Sequence, residues 1–214
     1  MTRLVFVSVV LAALSTSALH AHRLDELLQA ARFGIETDRV ELELDLTPGI
    51  SIARGIFDQI DVNRDEVLSP AEELSYARTV IGSLQLDVDG RPQTLELTGQ
   101  RFPTLAQMSE GVGAIRLTAV ANTSGSFGWN HQLRFRNAHR PDVSVYLANA
   151  LAPTSTSVRI GSQQRDWQQR EIRIDYETGA AGRYVWPAAL ATLLAAAIAA
   201  RVYPRRQKPH MQAL

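Results

Sequence analysis

"RVELELDLTPGISIARGIFDQIDVNRDEVLSPAEE", residues 39–73, changes its period twice, and that change decides the fold. From Arg39 the apolar residues alternate: Val40, Leu42, Leu44 and Leu46 share one face, the pattern of a half-buried strand. From Ile50 the spacing turns helical, and Ile52, Ile56, Phe57 and Ile60 fall on one stripe. A second stripe follows in "PAEELSYARTVIG" (70–82), where Leu74, Ala77, Val80 and Ile81 line up. Between the two stripes lies a polar loop, so a helix–loop–helix interrupts a strand-forming chain.

That loop, "DVNRDEVLSPAEE" (61–73), places oxygen-bearing side chains at alternate positions. Calcium is a hard cation, and a twelve-residue EF-hand loop ligates it from positions 1, 3, 5, 7, 9 and 12. Counted from Asp61, those positions hold Asp61, Asn63, Asp65, Val67, Ser69 and Glu72. Position 7 uses only its carbonyl, so Val67 is acceptable there, and Leu68 at position 8 fits an inward-packing residue. Ser69 also reads as the N-cap of the second helix, with Pro70 at its first position and Glu72 three residues on. Glycine is wanted at position 6 for a turn with positive φ, and Glu66 stands there instead. The cost is on the order of 1 kcal/mol, a factor of about five to ten in affinity; the extra carboxylate offsets part of it by lowering the local potential. A capped helix–turn–helix with solvated acids and no metal remains the alternative.

Outward from this insert the chain reads as strands. "LQLDVDGRPQTLELTG" (84–99) reads as a hairpin turning at Asp89-Gly90, with Leu84, Leu86 and Val88 alternating on one arm and Leu95 and Leu97 on the other. Further strand-like runs cover 114–121, 130–137, 142–151, 156–163 and 170–178. About eight short strands separated by turn residues predict a mainly β fold, an antiparallel, immunoglobulin-like β-sandwich. A mixed α+β fold is the alternative. "DVDG" (87–90) resembles the loop superficially, but it reads as turn chemistry. Trp129 and Trp167 read as core or sandwich-edge aromatics, and His131 and His139 as ordinary polar residues.

The two ends have a different character. Residues 1–21 open with Arg3, an apolar run from Leu4 to Leu14 and then small residues, the layout of a signal peptide cut after Ala18 or Ala21. Tyr184–Ala200 is uncharged, bracketed by Tyr184, Trp186 and Tyr203 and followed by Arg205, Arg206 and Lys208. This predicts one transmembrane helix over 183–203 with a basic cytoplasmic tail at 204–214. The main domain, 22–182 with its helix–loop–helix at 51–82, is then exported to the periplasmic or extracellular side of the cell membrane and tethered by its C-terminal helix.

All 22 acidic residues lie between Asp25 and Glu177. The stretch from Arg23 to Arg183 carries 17 basic residues against those 22 acids, a net of −5, which argues against a nucleic-acid partner. Cysteine is absent, excluding disulfides, thiolate metal sites and a cysteine nucleophile. The sequence contains no G-x-S-x-G, no H-E-x-x-H and no phosphate-binding glycine loop, so it is read as a binding protein, not an enzyme. Cleavage after Ala21 would leave His22 first, where amine and imidazole together suit copper or nickel.

Three segments carry a resemblance: "HRLDELLQAARF" (22–33), the strand and loop segment 42–73, and "LRFRNAHRPDVSVYLANAL" (133–151). Over most of residues 22–178 the chain resembles a group of bacterial exported, membrane-anchored proteins containing an EF-hand. They are similar to the exported portion of nickel/cobalt-type permeases of the hydrogenase and urease accessory class. The resemblance implies a periplasmic, membrane-associated protein that binds Ca²⁺, with a membrane permease as partner. Its alternative implication is an accessory role in nickel, cobalt or copper uptake. Glu66 departs from the loop pattern of that group.

Overall fold

The computed structural model describes residues 24–123 and 129–179. The expected signal peptide, His22, the expected transmembrane helix and the expected basic tail all lie outside the described residues. Among the described residues no helix is long and apolar enough to cross a membrane.

The chain forms β1 (Leu27–Ile35), β2 (Arg39–Pro48), α1 (Ile50–Ile60), α2 (Pro70–Gly82), β3 (Leu84–Val88), β4 (Arg91–Gln93), β5 (Glu96–Arg101), α3 (Leu105–Ser109), β6 (Ile115–Asn122), β7 (Asn130–Asn137), β8 (Ser144–Ala150), β9 (Val158–Arg165) and β10 (Glu171–Thr178). The strands make two five-stranded sheets, ordered β5-β6-β2-β1-β8 and β4-β3-β7-β10-β9. The fold is therefore mainly β. The inner faces meet in one core, where Phe33 of the first sheet contacts Phe135 of the second edge-on at 4.8 Å.

The alternation in β2 sets the inner face as expected: Val40, Leu42, Leu44 and Leu46 are all buried. Burying each such side chain contributes about 1.5–3 kcal/mol. The helical stripes also turn inward. Ala53, Ile56, Phe57 and Ile60 of α1 and Ala77 and Val80 of α2 join the same core, with Ile52 and Ile81 packed at its margin. α1 packs on α3, and α2 packs on β3 and β5, so the insert covers the side where those strands lie.

Four expectations need correction. β1 lies in a segment to which periodicity assigns no element. Its inward row is Leu27, Gln29, Ala31, Phe33 and Ile35, so a polar residue breaks the alternation, while Leu28 and Ala30 put apolar residues on the outer face. The sandwich is not wholly antiparallel, because β1 pairs with β8 in parallel, Leu27 opposite Ser144 through Phe33 opposite Ala150. The hairpin at 84–99 is shorter than expected. Asp89 (φ 54°) and Gly90 (φ 76°) do make the turn, but the returning arm ends at Gln93 and β5 crosses to the other sheet to pair with β6. Pro92 sits on this three-residue edge strand, where its missing N–H costs no ladder bond. Gly99 follows a register shift after Leu97, and a Cβ there would come within 2.6 Å of Thr118 Oγ1. Finally, of the core and sandwich-edge readings for Trp129 and Trp167, the core one fails, because they are 53% and 89% exposed.

Candidate metal centre

Each position of the 61–72 loop has a traceable role. α1 ends where the Asp61 N–H bonds back to the Phe57 carbonyl, which leaves Asp61 at the mouth of the loop with only 2% of its surface exposed. Its carboxylate looks back along the chain. Oδ1 accepts from the Asp65 N–H at 3.2 Å and Oδ2 from the Glu66 N–H at 2.9 Å. The Asp65 N–H is shared with Asn63 Oδ1 at 3.1 Å, so the oxygens of Asp61 and Asn63 converge on one hydrogen. Asn63 Nδ2 donates to Asp65 Oδ2 at 2.8 Å, and Asp65 Oδ1 accepts from the Val67 N–H at 2.9 Å.

Wrapping the loop this tightly requires left-handed backbone at two non-glycine residues, Arg64 (φ 61°) and Glu66 (φ 64°). Each costs roughly 1–2 kcal/mol. Glu66 therefore adopts the turn wanted at position 6 without being glycine. Its side chain does not add charge to the loop as expected. Arg54 Nη1 on α1 binds Glu66 Oε1 at 2.9 Å and also reaches Asp58, so the extra carboxylate is largely neutralised.

The far end of the loop is the predicted capping box. Ser69 is the N-cap, Pro70 begins α2, and the Ser69 and Glu72 side chains satisfy each other's backbone N–H groups. Glu72 also spans the loop: Oε1 accepts from the Val62 N–H at 2.8 Å and the Asn63 N–H at 3.3 Å. Oε2 accepts from the Ser69 N–H at 2.9 Å and hydroxyl at 2.7 Å. These donors, the two Ser69 groups first and the Asn63 and Val62 amides after them, hold the Glu72 pKa down to about 2 from its ordinary 4.5. Leu68 is half-buried against the core, as position 8 requires.

Asp61, Asn63, Asp65, Ser69 and Glu72 are thus joined by one short-range hydrogen-bond web, with Val67 on its rim. The donors are all oxygen, which suits a hard cation and not a soft one. Among the described residues, however, no three His, Cys, Asp or Glu side chains stand gathered as a metal-holding group. Both Glu72 oxygens are already held, Oε1 by the Val62 and Asn63 amides and Oε2 by the Ser69 amide and hydroxyl.

The two described histidines, His131 and His139, are not ordinary polar residues, since both are buried. His131 is buried. Its Nδ1 lies 2.8 Å from Asp89 Oδ2 and its Nε2 lies 3.2 Å from Thr178 Oγ1, so the ring ties the β3–β4 turn to the end of β10. His139 belongs to a buried polar corner. Its N–H donates to Asn137 Oδ1, its carbonyl accepts from Gln29 Nε2 and the Tyr146 hydroxyl, and its Nε2 lies 3.2 Å from the Tyr76 hydroxyl on α2. Asn137 Nδ2 donates to Gln29 Oε1, which accounts for the polar residue on the inner face of β1. Burial, aided by Arg140, lowers the His139 pKa to about 4 from 6.5. Next to it Arg140 reaches Gln59 on α1, so this corner grips both helices of the insert. The one hint in the sequence is Gln29, an inward polar residue that needs a partner.

No family model, curated protein or solved structure matches the chain. The functional reading therefore rests on residues and geometry alone.

Proposed function

We propose that this is a calcium-binding, membrane-anchored exported protein whose single EF-hand braces the β domain or its contacts with a membrane partner. The observation that carries the reading is the left-handed turn at Glu66 with its amide on the buried Asp61 carboxylate. A helix cap alone needs Ser69, Pro70 and Glu72. It does not need a strained turn that folds Asp61, Asn63 and Asp65 toward one another.

The affinity that follows is weak, in the range of about 10⁻⁴–10⁻³ M typical of extracellular modules. The donors that already occupy both Glu72 oxygens act in that direction. The immunoglobulin-like variety of sandwich, export across the membrane and C-terminal tethering belong to this same proposal, as does a permease partner. Both described histidines already hold partners on their rings, which favours oxygen-bound calcium over imidazole-bound nickel or copper as the ion. The test is a calcium titration of chelator-stripped protein followed by calorimetry and thermal melting. Calcium raises the melting temperature, and Glu72→Gln removes the rise. A wild-type melting curve unmoved by millimolar calcium overturns the proposal.

A further inference from the structure

β10 is the last described strand, and it runs the length of the sandwich. Glu171 pairs with Arg136 at the end where the polar corner grips both helices of the insert, and Glu177 pairs with Asn130 at the other end. The eight residues of β10 span roughly 25 Å. The insert is therefore held at one end of the domain, and the chain leaves at the other, through Gly179.

Trp129 stands at this exit. Its carbonyl accepts from the Thr178 N–H at 2.9 Å, and its indole lies on Gly179, where a Cβ would collide with the ring. Gly179 also has φ 69°, a left-handed backbone that suits glycine. The indole is thus fixed against the last described residue, yet Trp129 is 53% exposed. A Trp side chain can bury about 150–250 Å², and this one leaves much of that area open. Tyr184, where the uncharged segment begins, comes five residues after Gly179, and Trp186 comes two after that. Fully extended, five residues reach at most about 18 Å.

We propose that Trp129 lies in the headgroup layer of the membrane that anchors the chain, an interfacial aromatic beside Tyr184 and Trp186. The proposal rests on the expected transmembrane segment over 183–203 and is independent of calcium binding. Trp and Tyr concentrate at that layer because their rings are apolar while their N–H or O–H stays hydrated. A lipid surface is the occupant because the tether itself brings one within about 18 Å of Gly179 and the ring upon it. Charge at this end is mixed, with Arg159 opposite Glu177 across β9 and β10, so the contact needs no anionic lipid. An indole held there stands the sandwich on its exit end. Trp167, 89% exposed at the tip of the β9–β10 hairpin, is then raised a strand's length clear of the lipid.

Trp129, Trp167 and Trp186 are the three tryptophans of the chain, so each level has its own fluorophore. The full-length test chain carries Trp167→Phe and Trp186→Phe, which leaves the indole in question native and alters an exposed tip. Two control chains combine Trp129→Phe with Trp167→Phe or with Trp186→Phe. Each is reconstituted in phosphatidylcholine vesicles with bromine placed high or low on the acyl chains, and its emission is compared with that in unbrominated vesicles. Bromine high on the chains should quench Trp129, bromine low on them should quench it less, and neither should quench Trp167. Trp186 should lose emission as well, which reports the tether. Quenching of Trp186 without quenching of Trp129 overturns the proposal and leaves the tether standing. With neither quenched, both fall. Equal quenching of Trp129 and Trp167 would lay the domain on its side and overturn the proposal too.

Discussion

Two polar clusters in this protein look alike on paper and behave in opposite ways. The 61–72 loop ties together groups two to ten residues apart, most of them in contact with water. The 137–146 corner ties Asn137 and His139 to Gln29 across 108 and 110 residues of chain, and it is buried. In the loop, water can replace most lost partners, those of the buried Asp61 carboxylate excepted. In the corner nothing can. Losing one hydrogen bond in the loop costs a net fraction of a bond, whereas losing one in the corner costs the desolvation of whatever is left behind.

The sharpest way to break that contrast is a pair of matched truncations. Asn137→Ala strands Gln29 Oε1 and the His139 N–H in the core, and should lower unfolding stability by about 2–4 kcal/mol. Asn63→Ala in calcium-free protein should cost within about 0.5–1 kcal/mol, since its partners are exposed. Urea unfolding measures both. Equal costs would mean that burial does not separate the two clusters.

A pH series separates them next. The unfolded chain protonates His139 near 6.5 and the folded one only near 4, so this contribution is complete above pH 6.5 and is lost as pH falls toward 4. Glu72 follows the same sign in a lower window: its contribution is present above pH 4.5 and lost as pH falls toward 2. Stability measured at successive pH values should therefore fall in two stages. His139→Gln should flatten the upper stage and leave the lower one, and Glu72→Gln should do the reverse.

The same difference in range explains what the sequence revealed. The loop was readable because its bonds join near neighbours: the capping box of Ser69 and Glu72, the inward Leu68 and the alternation of Asp61, Asn63 and Asp65 are all patterns of spacing. The strands β2, β3 and β6 to β10 were readable for the same reason. The corner was not, since no spacing in the chain links Gln29 to Asn137. β1 was hidden by the very glutamine that serves the corner. The parallel β1–β8 pair and the crossing of β5 to the other sheet were hidden because pairing partners are chosen by tertiary packing. The restraint of Glu66 by Arg54 is local, at twelve residues, but it depends on how α1 and the loop fold back on one another.

Calcium should change the loop and spare the corner. At free calcium ten times the dissociation constant, binding adds roughly 1.4 kcal/mol to stability. That gain should appear in melting curves of the wild type and of Asn137→Ala alike, and vanish in Glu72→Gln. If Asn137→Ala lost the gain as well, the corner would be part of the binding site's support through Tyr76 and Gln59, and the two clusters would not be energetically separate.

The smallest effect is the most diagnostic of the loop's design. Glu66→Gly relieves a non-glycine residue at φ 64° but gives up the ion pair with Arg54. The relief is on the order of 1 kcal/mol. The exposed pair contributes about 0–1 kcal/mol, and glycine adds back some unfolded-state entropy. In calcium-free protein these terms nearly cancel, so stability should move by less than about 0.5 kcal/mol. Calcium affinity should barely respond, because the left-handed turn is already in place before the ion binds and its strain is common to both states. A change within about twofold is expected, read by isothermal titration. Glu66→Gln keeps the strain while removing the charge, and should leave affinity within about twofold, because Arg54 already neutralises that carboxylate. Should Glu66→Gln weaken binding well beyond about twofold, the carboxylate would be acting on the ion directly, and the ion pair with Arg54 would have to open when calcium binds.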